Sequence, residues 1–321
     1  MGSPRLFIKQ AFCWDGDHER NGISAGVRHR GGRRVFSDAA AVVAAVREKT
    51  GALLLDRALP AGGNVRPDAA KKRRGAEAFM KTIAAQILLW IKAMRLYAHS
   101  ASILPVALGS VYAWHVTGCF HGGVFALAVL AAILYHSGCN LVNDYCDVKY
   151  GWDRPGTYGG SGVLLRGEMT PRQMMAGIVF LFALGTAAGL WLAFLCGPII
   201  LWLGVLGLMA SILYSASRFG AKKNALGEPL VFLSMGVAMT AGGYAVQTGA
   251  VSWAAIWISL PMSFLVTDIL TANNIRDLAD DRESGIRTIA ILMGAKSSRR
   301  FYDVLLFAPY PVALALVGVR L

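Results

Sequence analysis

Two segments gather acids and asparagines at regular intervals: NDYCDVKYGWD at Asn143–Asp153 and NNIRDLADDRESGIRT at Asn273–Thr288. Each follows a long apolar stretch, in a chain that otherwise avoids acids beyond Lys81. Carboxylates gathered at the edge of a membrane-sized hydrophobic body suit a hard divalent cation, and two such clusters suit a shared polyanion such as a diphosphate. If the apolar stretch before the first segment stays helical past Val142, Asp144 and Asp147 are three apart and share a face. Asp277 and Asp281, four apart, do the same in the second. Mg²⁺ accepts one or two carboxylates and completes its octahedron with water and phosphate oxygens, so two separate acid clusters fit two ions bridging one diphosphate. The competing reading is ordinary caps and surface ion pairs, for instance Asp277 with Arg276 or Asp281 with Arg282. It suits one cluster better than two that match.

Cations are interleaved with these acids: Lys149 and Arg154 in the first segment, Arg276, Arg282 and Arg287 in the second, and Lys222 and Lys223 between them. A departing diphosphate gains negative charge as its bond to carbon breaks, and metals with cations would stabilise that charge. Asn143, Asn273 and Asn274 flank the acids on the membrane side, and the consecutive pair is expected to face the bundle interior rather than lipid. Asp268 lies deeper, where an intramembrane acid is a functional candidate by default; it could orient an acceptor hydroxyl or pair with a buried cation.

Membrane helices hold these residues in place. The chain has 321 residues, 55% hydrophobic and 16% charged, with mean hydropathy +0.48. Stretches near the roughly 20 residues needed to cross a bilayer are Ala98–Val116, Val124–Val142, Met174–Leu195, Ile199–Ser217, Pro229–Val246, Ala254–Ala272 and Tyr302–Val319. The expected fold is therefore all-α, a polytopic transmembrane helical bundle of about seven spans. Lysines and arginines concentrate in alternate connections, after the second, fourth and sixth spans. By the positive-inside rule this places the N-terminus and both acid segments in the cytoplasm. The net charge of +13 is distributed as topology markers, so no nucleic-acid partner is expected. The five cysteines contain no CxxC, and no zinc site is indicated.

Residues 1–79 differ in kind, being rich in Arg, Gly and Ala, with one apolar helix candidate around Ala39–Val46. They read as a basic, poorly structured extension, with no secretory signal peptide. Residues 80–321 read as the membrane domain, opened by an amphipathic approach from Met80. The glycine-rich Gly151–Gly167 cannot be regular helix throughout and reads as a loop, and Met169–Arg172 as a helix start with Thr170 as cap.

The two acid segments resemble the aspartate-rich signatures of the UbiA superfamily of intramembrane prenyltransferases. The order NDYxD, an Asp six residues later, GSG, then NNxRDxxxDxxxGxRT is most similar to the 1,4-dihydroxy-2-naphthoate branch of menaquinone synthesis. Tyr214–Gly236 resembles the same branch. The resemblance runs from about Met80 to the C-terminus. It implies a helical bundle with a central cavity, and transfer of a polyprenyl group from polyprenyl diphosphate to an aromatic acceptor with Mg²⁺ as cofactor. By the same carry-over Asp144, Asp147, Asp153, Asp277 and Asp281 would hold metal. Asp144, Asp147, Asp277, Asp281 and Arg287 would be catalytic. Asn143, Lys149, Arg154, Tyr214, Lys223, Asp268, Asn274 and Arg276 would bind substrate. The implied place is the lipid bilayer of the cell's inner (plasma) membrane. Ile286 departs from that branch, which carries lysine there. The family fold has nine spans against seven here, so a chain short of its last pair is expected.

The same chemistry admits other acceptors: a hydroxybenzoate, a homogentisate-like ring, a porphyrin alcohol or a glycerol phosphate. A cation transporter would also place acids in a helical bundle, but near the bilayer midplane rather than beside arginines at helix ends. A degenerate, noncatalytic scaffold is the third reading.

Overall fold

The computed structural model describes residues 67–154, 156, 160–215 and 220–319, and among these the chain is helical, as expected, with one isolated bridge between Asn224 and Arg287. The helices are α1 (Pro67–Met94), α2 (Ser100–Thr117), α3 (Gly122–Lys149), α4 (Pro171–Cys196) and α5 (Ile199–Ser215). They continue with α6 (Gly227–Thr248), α7 (Trp253–Arg276), α8 (Leu278–Glu283), α9 (Ile289–Phe307) and α10 (Pro309–Gly318). The chain divides into two units. One is Gly16–Ala84, and the other includes Ala85–Leu321, with every side-chain contact described below. The expected boundary at residue 79 falls inside the continuous helix α1, and the candidate around Ala39–Val46 lies outside the described residues.

Each of the seven expected spans coincides with a helix, the last with α9 and α10 run together. Five are long and apolar enough to cross a membrane: α3, α4, α6, α7 and the joined α9–α10. At 17 residues, α5 is apolar but only about 26 Å long, and α2 is diluted by Ser100, Ser102, Ser110 and His115. Outward faces carry Val179, Phe180, Phe194, Trp202, Leu213 and Phe307, all exposed, as suits helices whose outer solvent is lipid.

Small residues bring the helices together, because apolar bulk alone gives no preference for protein over lipid. In α2 and α6 the approach is reciprocal. A methyl group at Gly109 would overlap the Thr240 carbonyl oxygen, one at Gly243 would overlap that of Val106, and the Ser110 hydroxyl donates to the Gly243 carbonyl at 2.9 Å. Residues Phe232–Ala238 of α6 form a π-helical segment. Gly236 within it lies against Ser263 of α7.

Termini follow local chemistry. Thr170 and Gln173 form a capping box at the start of α4 with Pro171 in the first turn, as expected. Thr288 caps α9 by accepting from the Ile291 amide, and Gly294, at φ 74°, kinks that helix where only glycine is unstrained. The glycine-rich loop is irregular but tethered: Val163 and Met169 are buried with Leu141, Met174 and Ile178 of α3 and α4. That anchorage places Ser161 beside the end of α3.

Candidate active site

Helix α3 continues to Lys149, carrying Asp144 and Asp147 past the expected end of the span, and both are buried. Asp144 accepts from the Arg95 guanidinium, from the Ser161 hydroxyl and, at 3.0 Å, from the Ser161 amide. Asp147 accepts from Lys222 at 2.7 Å and Lys223 at 3.0 Å. After Lys149 the chain turns back, the amides of Trp152 and Asp153 donate to the Asp147 carbonyl at 2.8 and 3.1 Å, and Asp153 is returned beside the other two acids. Gly160 makes room for it, since a methyl there would meet the Asp153 carboxylate.

The two lysines come from the short turn Ala221–Lys223 between α5 and α6. Lys222 also donates to Asn143 Oδ1 at 3.0 Å, where the Ser215 hydroxyl donates too, at 3.1 Å. The Lys223 ammonium stands 2.8 Å from the centroid of the Trp152 ring. This turn is tied to the second segment: the Arg287 amide donates to the Lys223 carbonyl at 3.2 Å.

In the second segment α7 ends at Arg276, with Asp277 as its C-cap, and the short α8 restarts at Leu278. The Asp281 amide still donates to the Asp277 carbonyl at 2.9 Å, so the two acids keep their helical spacing across the break. Asp277 accepts both arms of Arg276, at 2.6 and 2.7 Å. Asn274 is buried and donates to Glu228 at 2.9 Å, whereas Asn273 is exposed. The expectation that both asparagines face inward therefore fails for Asn273, because successive helical residues diverge by about 100°.

Two contacts close one segment on the other. Arg154 pairs with Glu283 at 2.7 Å, and the Ser284 hydroxyl donates to the Trp152 carbonyl at 3.2 Å. Between them is a pocket lined by Asp147, Trp152, Asp153, Lys222, Asn274, Asp277, Asp280, Asp281 and Ile286.

Electrostatics reflect that crowding. Burial pushes Asp281 up to about 6, with Asp277 adding to the rise and Lys222 opposing it. Burial likewise pushes Asp153 up to about 6, helped by Asp147 and Asp144. Burial disfavours the Lys222 charge, but Asp147 outweighs it and holds this lysine above its ordinary range. Lys223 goes the other way, pushed down to about 8 by burial and by Lys222, against the pull of Asp147.

Of the residues singled out from sequence, Asp147, Asp153, Asn274, Asp277 and Asp281 are brought to this one pocket. Asn143, Asp144 and Lys223 stand directly behind it through the contacts above, and Arg154 and Arg276 are at its rim in ion pairs. Others lie elsewhere. Lys149 is exposed, 5.9 Å from the ring centres of both Tyr145 and Tyr150, and the Arg287 side chain is exposed. Tyr214 packs with Val231 and Leu270 between α5, α6 and α7. Asp268 is buried about 9 Å down α7 from Asn274, off the face that bears it, with Oδ1 lacking a partner among the described residues. Sequence reasoning gave no role to Arg95, Ser161, Trp152, Glu228 or Asp280. Glu228 and Asp280 carried a signal, as acids where acids are scarce.

Among the described residues no three His, Cys, Asp or Glu converge to hold an ion by themselves. The five expected metal ligands do not surround a single point: Asp144 faces Arg95, while Asp147, Asp153, Asp277 and Asp281 face the pocket. An open, all-oxygen donor set of that kind fits Mg²⁺, which leaves most of its shell to water and phosphate.

Residues 102–321 match the UbiA prenyltransferase family. UbiA prenyltransferase domain-containing protein 1 of Rattus norvegicus is 33% identical over 69% of this chain, and the chain spans 65% of that relative's length. The protein of that name from Xenopus tropicalis is 32% identical over 77% of this chain and 71% of its own. Among solved structures, a UbiA homolog from Archaeoglobus fulgidus bound to GPP and Mg²⁺ superimposes with TM-score 0.55 at 16% identity, over 71% of this chain and 77% of that one. A digeranylgeranylglyceryl phosphate synthase superimposes with TM-score 0.53 at 14% identity, over 73% and 78%. The relatives bear the name of domain-containing protein 1 rather than of the naphthoate branch, which moves the resemblance from a branch to the family. With the apolar helices, the paired acid segments and a match over more than half its length, this integral membrane chain belongs to the UbiA prenyltransferase family.

Proposed function

We propose that this chain transfers a polyprenyl group from a polyprenyl diphosphate to an aromatic acceptor, with the diphosphate held in the pocket between Asn143–Asp153 and Asn273–Thr288. One observation carries the reading: the tertiary fold brings Asp147 and Asp153 from one segment and Asp277 and Asp281 from the other to a single pocket with Lys222. Asp147, Asp153, Asp277 and Asp281 would hold Mg²⁺, which when bound supplies Lewis-acid charge to the diphosphate oxygens. The A. fulgidus homolog, bound to GPP and Mg²⁺, supports that part.

The protein's own groups do the rest. Lys222 and Lys223 present ammonium groups where the leaving diphosphate gains charge, and Arg276 adds its guanidinium at the end of α7. Trp152 and Ile286 form apolar wall at the pocket, excluding water from an allylic cation. The carbon–oxygen bond of the prenyl diphosphate breaks, the electron-rich ring attacks the cation, and diphosphate leaves. The acceptor proposed first is 1,4-dihydroxy-2-naphthoate, supported by the motif resemblance, with loss of its carboxylate in the overall transformation and a role in quinone synthesis. The site faces the cytoplasm of the inner membrane, supported by the distribution of lysine and arginine.

The test incubates membranes containing the full chain with Mg²⁺, a labelled polyprenyl diphosphate and a panel of acceptors: naphthoate, hydroxybenzoate, homogentisate, a porphyrin alcohol and glycerol phosphate. Product is expected with the naphthoate. Product with another acceptor alone would replace the acceptor, and no product from any, beside an active relative, would remove the enzyme reading.

A further inference from the structure

Building on the metal reading above, we infer that Glu228 is a positioning residue that turns the Asn274 amide so that its carbonyl oxygen faces the acid pocket as a further ligand for the divalent cation. Glu228 lies in the first turn of α6 and is 3% exposed; Asn274 lies near the end of α7 and is 7% exposed. They meet at 2.9 Å, Asn274 Nδ2 to Glu228 Oε1. An asparagine amide can turn either way round, and its neighbours decide which. A carboxylate only accepts, so Glu228 can take nothing from Asn274 but the NH₂ group. With Nδ2 committed to Glu228, the atom that Asn274 has left for the pocket it shares with Asp147, Asp277 and Asp281 is Oδ1.

The other motif asparagine shows the opposite arrangement. Asn143 Oδ1 accepts from Ser215 and from Lys222, so its oxygen is engaged by donors, and its NH₂ has no hydrogen-bond partner among the described residues. Two asparagines in like places after apolar spans are thus oriented oppositely by their partners. Amide oxygens are ordinary ligands for hard cations, and Asn274 adds one without adding a further negative charge to a pocket that already crowds acids. Glutamate at 228 matters for this because glutamine could offer either an oxygen or an NH₂ and would leave the amide free to flip.

The test titrates the purified full chain with Mn²⁺, read by electron paramagnetic resonance, without prenyl substrate or acceptor. Glu228→Gln should weaken Mn²⁺ binding about tenfold, the lower end of the loss seen when outer partners of metal ligands are changed. The double variant Glu228→Gln with Asn274→Asp should bind at least as tightly as the unmodified chain, because the glutamine NH₂ engages one Asp oxygen and leaves the other to the ion. A role in packing alone would not be rescued that way. Unchanged affinity in Glu228→Gln, or no recovery in the double variant, overturns the inference. If Glu228→Gln does not fold, Asn274→Ala must show the same weakening, and unchanged binding there overturns it equally. An unmodified chain that takes up no Mn²⁺ removes the metal site itself, and this inference with it.

Discussion

The Lys222 ammonium donates to Asp147 at 2.7 Å across 75 residues of sequence, and to Asn143 at 3.0 Å. One side chain from the turn between α5 and α6 thus neutralises the most buried acid of the first segment and orients its asparagine. Lys222→Met should leave the fold intact, since Lys223 still pairs with Asp147. Turnover should fall by about 10²–10³, the loss typical of one charge-stabilising donor. Mn²⁺ binding should tighten, because the carboxylate loses a competitor. Unchanged turnover would take Lys222 out of the reaction.

Asp144 and Asp277 read alike in sequence, but their surroundings differ. Asp144 is paired with Arg95, whose Nε is already buried without a partner among the described residues. Removing the carboxylate leaves a buried guanidinium uncompensated, at a cost of about 3–5 kcal/mol. Asp277 pairs with Arg276, half exposed at the helix end. Asp144→Ala should therefore lower the melting temperature in detergent and yield aggregated protein. Asp277→Ala should stay monodisperse and lose transfer. Equal melting temperatures would contradict the assignment.

Asp153 and Asp281 are both pushed up to about 6, first by burial and then by neighbouring acids. A carboxyl whose folded pKa is raised above its unfolded value stabilises the fold at low pH and loses that contribution as pH rises through the folded value. Metal-free protein should therefore lose stability between about pH 5 and pH 7, while Mn²⁺ affinity rises over the same window as the ligands deprotonate. Melting curves with and without Mn²⁺ at several pH values measure both. A flat profile in each would refute the shared rise.

Gly109 and Gly243 let α2 and α6 touch backbone to backbone. Gly109→Val inserts a side chain onto the Thr240 carbonyl, and overpacking of this kind costs about 1–3 kcal/mol or more. The expected outcome is a lower melting temperature with the pocket residues unaltered. Thermal unfolding followed by tryptophan fluorescence checks it, and an unshifted transition would mean the helices can separate freely.

The helices were legible because each apolar run is long and bounded by glycine, proline or charge. The pocket was half legible. Asp147, Asp277 and Asp281 follow from spacing along continuous or nearly continuous helix. Glu228 could not be found that way, since its meaning rests on Asn274, 46 residues away on another helix. Arg95 could not be found that way either, because nothing local shows that it turns inward to Asp144. Asp268 is the opposite case: its depth is visible in sequence, its rotation relative to the pocket is not.

A helical membrane chain with two acid segments at helix ends is written in the order of residues, because hydrophobic length, helical spacing and acid scarcity are properties of neighbouring residues. Which acids face a pocket and which are held by arginine or lysine was decided only by the tertiary structure. That choice depends on how α5, α6 and the glycine-rich loop pack against α3 and α7, and a charge in a low-dielectric interior is set by whichever partner the packing delivers.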